Sequence, residues 1–288
     1  MRIIIRMAMR TASALLGRKD TARGCTFRTT RHFTAVFEPA LSQSALPSPT
    51  LALLTGAALF LDFDGTLTPI VDTPDDVDVG PDLIAMLLAL RAKLGGRLAI
   101  VSGRSVATLR DLGFGDFLLA GTHGLEFARP GEAAQAPPRL PAIDAVEAAF
   151  HAFIADKPGL LVERKTISVG LHFRRAPKWG EAAGALAATL AAQHGLTIQH
   201  GKMLYELRPG GADKGSAVRA LMTQSPMAGG VPVFIGDDVT DEEGFAVAAD
   251  LGGAGILVGP QRSTLASFSL EQVAAVRHYL AEGAASPR

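Results

Sequence analysis

The sequence predicts an α/β fold in which a parallel, Rossmann-like sheet is interrupted by an inserted α+β domain. Short apolar runs that end in polar residues alternate with segments of helical spacing in both outer parts of the chain. Between them lies a block with the alternation typical of antiparallel hairpins. With 48% hydrophobic and 19% charged residues over 288 positions, the composition excludes a wholly disordered chain.

The elements of the parallel pattern follow from apolar spacing. Leu83, Leu87 and Leu90 recur at the spacing of one helix face. Continuous apolar runs of four to five residues are typical of strands buried on both faces. The predicted elements are, in chain order, strand 57–61, helix 81–94, strand 97–101, helix 105–112, strand 117–120, helix 214–222, strand 232–235, helix 241–249, strand 254–258 and helix 269–280.

The middle of the chain predicts the inserted domain. Residues 129–141 are rich in proline and glycine, which predicts a linker. The elements expected after it are helix 142–156, strands 160–163 and 168–174, helix 179–194, and strands 196–200 and 203–207. We therefore expect a cap domain at 129–208 and a core made of 51–128 and 209–288.

The charge is unevenly distributed along the chain. Residues 1–50 hold eight basic and two acidic residues, a net charge of +6, which leaves −6 for residues 51–288. This basic segment has no clean helical or strand period, so we expect a disordered tail. A transit-like presequence and a translation start placed too far upstream remain as alternatives.

The composition also excludes several classes of protein. Twenty-eight basic and 28 acidic residues give no net charge, which argues against a nucleic-acid partner. The single cysteine, Cys25, excludes an intramolecular disulfide framework and a cysteine-rich zinc site. No apolar run reaches the roughly 18 residues that a membrane span needs. We expect no membrane partner and a cytoplasmic location.

Polar residues cluster where the predicted parallel strands end. Asp62 and Asp64 follow the first strand, Ser102 the second and Asp237 a later one, and Lys214 opens a helix. Because ligands bind at the carboxyl ends of such strands, these groups are expected to meet. Carboxylates without histidine or cysteine partners suit Mg²⁺.

These residues suggest a chemistry as a set. A carboxylate such as Asp62 beside a metal can attack phosphorus, and Asp64 can protonate the leaving oxygen and later activate water. Taken singly, Asp64 and Ser102 can be turn or helix-capping residues, and Lys214 a solvated surface charge. Their joint order at successive strand ends favours the active-site interpretation.

Four segments resemble the signatures of the haloacid dehalogenase-like phosphatases. They are Leu61-Asp-Phe-Asp-Gly-Thr-Leu67, Ser102, Lys214 and Gly236-Asp-Asp-Val-Thr-Asp241. The resemblance implies a phosphorylated Asp62, an acid–base Asp64, and phosphoryl contacts from Ser102 and Lys214. It also implies Mg²⁺ as cofactor, with the ligands Asp62, Asp64 and Asp237, supported from behind by Asp238 and Asp241.

Further segments resemble the trehalose-6-phosphate phosphatases, over roughly residues 57–280. These are 101–104, 120–124, 162–165, 171–174, 201–209 and 214–215. The resemblance implies Mg²⁺-dependent hydrolysis of trehalose 6-phosphate through an aspartyl-phosphate, the last step of trehalose biosynthesis. It also implies a functional link to a trehalose-6-phosphate synthase.

The resemblance also favours sugar contacts over the simpler explanation, which is that charges on hairpin strands form a solvated surface. The expected substrate-binding residues are Gly103, Arg104, His123, Glu163, Lys165, His172, Arg174, Lys202 and Glu206. For His123, satisfaction of a loop carbonyl is an equal alternative. Three other functions remain open at this point: a phosphatase for another sugar phosphate, a phosphomutase, and a catalytically silent sensor or regulatory subunit of a synthase.

Overall fold

Residues 45–73 and 76–286 are described by a computed structural model. Most of the predicted tail, residues 1–44, lies outside the described residues. The strands are β1 (Ala57–Leu61), β2 (Leu98–Val101), β3 (Leu118–Gly121), β4 (Glu126–Ala128), β5 (Leu161–Arg164), β6 (Val169–His172), β7 (Thr197–Gly201), β8 (Leu204–Arg208), β9 (Val231–Gly236), β10 (Ala254–Val258) and β11 (Phe268–Leu270). The helices are α1 (Pro81–Lys93), α2 (Val106–Leu109), α3 (Pro141–Ile154), α4 (Gly180–His194), α5 (Lys214–Met222), α6 (Glu242–Asp250) and α7 (Val273–Ala285).

A seven-stranded sheet forms the centre of the fold, in the order β11-β10-β9-β1-β2-β3-β4. All neighbouring pairs are parallel except β3 and β4, which are antiparallel. Phe60 of β1 lies opposite Ala99 of β2 and Phe234 of β9. The predicted α/β fold with a parallel sheet is confirmed.

Helices cover this sheet on both faces, which explains the continuous apolar strands. Leu59 and Leu61 point into a core shared with α1 and α7. Ala58 and Phe60, on the other face of β1, point into a second core shared with α5 and α6. The chain leaves the sheet at Asp62, directly after this strand. Asp62 is therefore anchored by a strand that is packed on both faces.

The chain between β4 and α5 forms a second sheet, which we call the cap together with α3 and α4. Its strand order is β5-β6-β8-β7, with every pair antiparallel. Val169, Leu171 and Leu207 pack against α3 and α4 on one face. Since side chains alternate across a strand, Gly170 and Glu206 lie on the other face, which we call the cap face. The predicted domain boundaries themselves stay a prediction.

The structure differs from the predicted elements near the carboxyl terminus. A helix was expected over 269–280, but α7 begins only at Val273, and Phe268–Leu270 forms the edge strand β11 parallel to β10. This strand satisfies the backbone groups of β10, which would otherwise form an open sheet edge. The edge strand β4 was also missed, because three residues are too few to show a period.

The first described residues lie against the core. The N–H of Leu46 donates to Oε1 of Gln261 at 3.3 Å, and Pro47 O accepts from the N–H of Ser269 at 3.0 Å. The hydroxyl of Tyr279 donates to Thr50 O at 3.0 Å. Residues 46–50 of the segment expected as tail therefore make specific contacts with the core. None of the helices in the described ranges is long and apolar enough to cross a membrane.

Candidate active site

A buried lysine joins two carboxylates at the end of β1. The N–H of Asp62 donates to Ile235 O of β9 at 2.9 Å, which fixes the backbone at the strand end. Lys214, the first residue of α5, donates from Nζ to Oδ1 of Asp62 and to Oδ1 of Asp241, both at 2.6 Å. All three side chains are at most 5% exposed. The lysine predicted at a helix start therefore forms a direct hydrogen bond with the predicted nucleophile.

The electrostatics of this group favour an added cation. Burial raises the pKa of Asp62 well above its ordinary range, and the negative charge of Asp241 raises it further, against the opposing effect of Lys214. Burial alone would lower the pKa of Lys214, but the charges of Asp241 and Asp62 outweigh it and raise that pKa. Lys214 stays protonated, and more negative charge gathers around it than one ammonium balances.

The loop after β9 is folded around Asp241. Oδ2 of Asp241 accepts the N–H groups of Asp237 and Asp238, each at 2.9 Å. Asp238 in turn caps the following turn by accepting the N–H of Val239 at 2.7 Å, and its carbonyl accepts from Arg262 Nη2 at 2.9 Å. Asp241 thereby orients the backbone that carries Asp237.

Asp62, Asp237 and Asp241 form a group that fits a divalent cation. One oxygen from each lies within 4.8 Å of the others. Oδ1 of Asp237 is buried and has no hydrogen-bond partner among the described residues. Burial raises the pKa of Asp237, against the opposing effect of a hydrogen bond and charge from Lys202. Hard oxygen donors of this kind suit Mg²⁺.

A glycine makes room for this group. A Cβ atom on Gly65 would lie 2.2 Å from Oδ2 of Asp237, well inside van der Waals contact. Gly65 also has a φ of 86°, a left-handed conformation that other residues adopt only with strain. The turn that follows Asp64 therefore approaches Asp237 because residue 65 lacks a side chain.

Asp64 is paired with an arginine and is not a member of the three-carboxylate group. Its two oxygens accept from Nε and Nη2 of Arg104 at 2.8 and 2.9 Å, a bidentate pair. The Arg104 guanidinium also lies over the ring of Phe63, 5.3 Å from its centre. Of the three predicted Mg²⁺ ligands, Asp62 and Asp237 share the buried group with Asp241, whereas a metal role for Asp64 stays a prediction.

The loop after β2 brings Ser102, Gly103 and His123 together. Oγ of Ser102 accepts the N–H of Arg104 at 3.1 Å, and Ser102 O accepts the N–H of His123 at 2.9 Å. A Cβ on Gly103 would lie 2.6 Å from Nε2 of His123, so the imidazole packs closely on this loop. Burial lowers the pKa of His123 well below its ordinary value, helped by the positive charge of Lys214, so the ring is neutral.

The cap face presents a row of residues to this loop. Glu163 of β5 lies opposite Gly170 of β6, which lies opposite Glu206 of β8, which lies opposite Gln199 of β7. Residues paired in this way point to the same face of a sheet. Two carboxylates and an amide are therefore set in one line, and they line the same cleft as Ser102.

Lys165 connects the cap to the core. Its Nζ donates to Oε2 of Glu206 at 2.5 Å and to Gly103 O at 2.9 Å, and lies 3.9 Å from Oε2 of Glu163. The other oxygen of Glu206 accepts from the hydroxyl of Ser168 at 2.6 Å. Lys165 is thus oriented by a fully buried carboxylate while reaching the loop of the predicted phosphoryl contact.

Glu163 has a different set of partners. Its Oε2 lies 2.8 Å from Nε2 of His172. Burial raises the pKa of Glu163, but the charge of Lys165 and the His172 hydrogen bond outweigh burial and lower the pKa to about 2. Glu163 is ionised in the cleft at neutral pH and can accept hydrogen bonds there.

Lys202 makes a second link between cap and core. It lies in the turn between β7 and β8, and its Nζ contacts Oδ2 of Asp237. Arg174 donates from Nη2 to Lys202 O at 2.8 Å and so supports the turn. The side chain that was predicted to bind sugar therefore pairs with a member of the carboxylate group in this structure.

The structure brings the predicted residues to one cleft between core and cap. Asp241 lies beneath it, fully buried. The predicted residues that line the cleft are Asp62, Asp64, Ser102, Gly103, Arg104, His123, Glu163, Lys165, His172, Arg174, Lys202, Glu206, Lys214, Asp237 and Asp238.

The sequence of the chain is similar to that of known phosphatases. The family model described as trehalose-phosphatase matches residues 60–274. Over 226 residues the chain is 40% identical to the probable trehalose-phosphate phosphatase of Sinorhizobium fredii, covering 76% of this chain and 85% of that protein.

The chain belongs to the trehalose-phosphatase family.

Two further comparisons, one of sequence and one of structure, give the same family. The trehalose-6-phosphate phosphatase of Escherichia coli is 38% identical over 227 residues, covering 77% of this chain and 85% of that protein. The C-terminal domain of a Candida albicans trehalose-6-phosphate phosphatase superposes with a TM-score of 0.73 at 25% identity, covering 84% of this chain and 99% of that one. Membership of this family makes the chain a phosphatase with a haloacid dehalogenase-type core.

Sequence reasoning within this family resemblance missed several residues of the cleft, among them Gln199 and Thr240. Gln199 could have been found from strand alternation, because the predicted hairpin places it on the same face as Glu206. In the structure the two residues lie directly opposite each other. Thr240 lies inside the fourth signature segment, between residues that were selected for their charge.

Proposed function

We propose that this chain hydrolyses trehalose 6-phosphate to trehalose and inorganic phosphate, with Mg²⁺ as cofactor and Asp62 as nucleophile. The observation that carries the proposal is the opposition of two groups across one cleft. A buried carboxylate–lysine group lies on the core, and a line of sugar-compatible polar groups lies on the cap face. The names of the Sinorhizobium and Escherichia relatives support this substrate.

The metal would be held by Asp62 and Asp237, with Asp241 orienting the loop and adding charge. When bound, it supplies positive charge to the phosphoryl oxygens as charge builds on them. The buried, partnerless Oδ1 of Asp237 and the space left by Gly65 support this assignment. Chelation is expected to abolish turnover, and added Mg²⁺ to restore it.

In the first step, an oxygen of Asp62 attacks phosphorus while the bond from phosphorus to the sugar oxygen breaks. The proton that the sugar oxygen needs comes from Asp64, once that carboxyl has left its pair with Arg104 and is protonated. In the second step, Asp64 takes a proton from water, and the water oxygen attacks phosphorus to release phosphate and regenerate Asp62. Lys214 and Ser102 orient the phosphoryl group in both steps.

The decisive experiment is phosphate release by the purified chain from a panel of sugar phosphates. We expect trehalose 6-phosphate to have a higher kcat/KM than sucrose 6-phosphate or glucose 6-phosphate. The folded Asp62→Asn variant should lose nearly all turnover, because an amide is a poor nucleophile. Asp111→Asn, which changes an exposed carboxylate outside the cleft, is the matched control and should retain it.

Four results would contradict the proposal. Preference for another sugar phosphate would assign a related phosphatase, and transfer of phosphate within a sugar would assign a mutase. Binding without turnover would assign a sensor or regulatory subunit. Full activity in excess chelator would exclude the metal. A cytoplasmic location and a functional link to a trehalose-6-phosphate synthase stay predictions.

A further inference from the structure

The Gln199 amide has its oxygen engaged by a neighbour and its nitrogen without an acceptor among the described residues. Its Oε1 accepts from Nη2 of Arg208 at 2.8 Å. Arginine has only donor groups, so the nitrogen of the Gln199 amide cannot face Arg208. No acceptor among the described residues takes a hydrogen bond from that nitrogen, and Gln199 lines the cleft. The amide therefore presents two N–H donors to whatever binds there.

Arg208 is well placed to maintain this orientation. It is 3% exposed, and its Nη1 also donates to Pro209 O at 3.3 Å. A buried guanidinium held in this way cannot turn away without losing both contacts. Rotation of the Gln199 amide would place its NH₂ group against a donor. The direction of the donor is therefore set before any ligand arrives.

The neighbours of Gln199 on the cap face are acceptors. Glu206 lies directly opposite it, and Glu163 lies two strands further along the same row. A sugar hydroxyl has one proton to donate and two lone pairs. Hydroxyls that give their protons to carboxylates on the cap face still need donors for their lone pairs. Gln199 lies three strands from Glu163, roughly 14 Å away, so it would meet a different hydroxyl of a disaccharide. It is the member of this row whose side chain carries N–H donors.

We propose that Gln199 is a specificity-determining residue whose amide N–H groups bind a hydroxyl of the sugar, with Arg208 as its positioning residue. This inference rests on the proposed function, since it names a further contact of the same sugar site. It assigns to β7 a direct role in recognition, in addition to the roles predicted for the residues of β5 and β8.

The test uses the full chain with Gln199→Leu and Gln199→Glu. Leucine removes both amide groups, whereas glutamate keeps an acceptor for Arg208 and removes the donor. We expect both variants to raise KM for trehalose 6-phosphate about tenfold, the effect of losing one hydrogen bond to a buried ligand. The rise should exceed any change with p-nitrophenyl phosphate, which is too small to reach the cap face. Inhibition of p-nitrophenyl phosphate turnover by free trehalose should weaken by the same factor.

Gln193→Leu is the matched control, because it makes the same change at an exposed position of α4. It should leave all three readouts at wild-type values. If the wild type hydrolyses trehalose 6-phosphate and Gln199→Leu keeps its KM, the inference is overturned while the proposed function stands. Wild-type KM in Gln199→Glu alone would show an acceptor role and overturn the donor assignment. If the wild type neither hydrolyses trehalose 6-phosphate nor binds trehalose, both fail together.

Discussion

At the scale of single residues, two glutamates with the same predicted role have different surroundings. Both Glu163 and Glu206 lie on the cap face. Each oxygen of Glu206 already has a protein partner, Lys165 or Ser168, and its side chain is 1% exposed. Glu163 is 19% exposed, and among the described residues its side chain joins one oxygen in a hydrogen bond to His172. Glu206 is thus suited to orienting Lys165, and Glu163 to contacting sugar.

We expect Glu206→Ala to destabilise the chain by about 3–5 kcal/mol, because it leaves the Lys165 ammonium buried without its partner. It should also reduce turnover of both trehalose 6-phosphate and p-nitrophenyl phosphate. Glu163→Ala should cost less stability and should affect chiefly trehalose 6-phosphate. Urea unfolding and kinetics with both substrates check this. Equal free energies of unfolding for the two variants would contradict it.

His123 predicts a dependence of stability on pH. Its pKa is lowered well below 6.5 in the folded chain by burial and nearby positive charge. The unfolded chain therefore binds a proton below about pH 6.5 that the folded chain refuses. This contribution to stability is present above that pH and is lost as the pH falls.

One proton bound by the unfolded chain alone costs at most about 2 kcal/mol between pH 6.5 and pH 5, which is the upper bound on the loss from His123. His123→Asn should remove it, because asparagine does not titrate and tolerates the local φ of 54°. Urea unfolding at the two pH values measures the effect. His151→Asn, at an exposed position on α3, is the control and should retain the wild-type slope. The same slope in His123→Asn would rule this residue out as the source.

At the scale of elements, the turn after β1 packs closely against the loop after β9, and it can do so because residue 65 is glycine. Alanine at this position would place a Cβ atom 2.2 Å from Asp237. Gly56 offers a matched comparison: its φ is also positive, 71°, but a Cβ atom there would meet no other atom within 4 Å. Alanine at either position would meet the same strain of a left-handed backbone, and only at position 65 would it also meet a close contact.

We expect Gly65→Ala to weaken Mg²⁺ binding about tenfold or more, as displacement of a supported ligand does. Gly56→Ala should pay only the strain of the left-handed backbone, about 1–2 kcal/mol of stability. Calorimetric titration with Mg²⁺ and thermal unfolding separate the two effects. Unchanged Mg²⁺ affinity in Gly65→Ala would show that Asp237 is not a ligand, or that the loop yields freely.

At the scale of the whole molecule, the boundary of the core lies before residue 50. Residues 46–50 form hydrogen bonds with Gln261, Ser269 and Tyr279. The basic residues of the predicted tail all precede this segment. The charge pattern therefore marks a different boundary from the one at which contacts with the core begin.

Deletion of residues 1–44 is expected to leave Tm and catalysis nearly unchanged, because that segment has no periodic apolar face. Deletion of residues 1–50 should lower stability by about 2–4 kcal/mol through the loss of these hydrogen bonds. Thermal unfolding of the two truncated chains compares them directly. Equal Tm values would show that residues 46–50 contribute nothing to the core.

Much of the fold and the candidate site was predictable because its signals are local. Apolar runs that end in polar residues at Asp62, Ser102 and Asp237 predict parallel strands and a common edge where their side chains meet. The edge strands β4 and β11 were not predictable, since three-residue strands take their conformation from the neighbour that they pair with. Local pattern therefore determined the central sheet and the residues of its active edge.

The sequence by itself determined the fold class, the resemblance to a phosphatase family and the set of charged residues that line the cleft. Only the tertiary structure decided which charge meets which. It pairs Asp64 with Arg104, Lys165 with Glu206, and Lys202 with Asp237, and it sets the Gln199 amide oxygen against Arg208. Such pairings join residues far apart in the chain. Their strength depends on the distance between the charges and on burial, and neither quantity can be read from the local sequence.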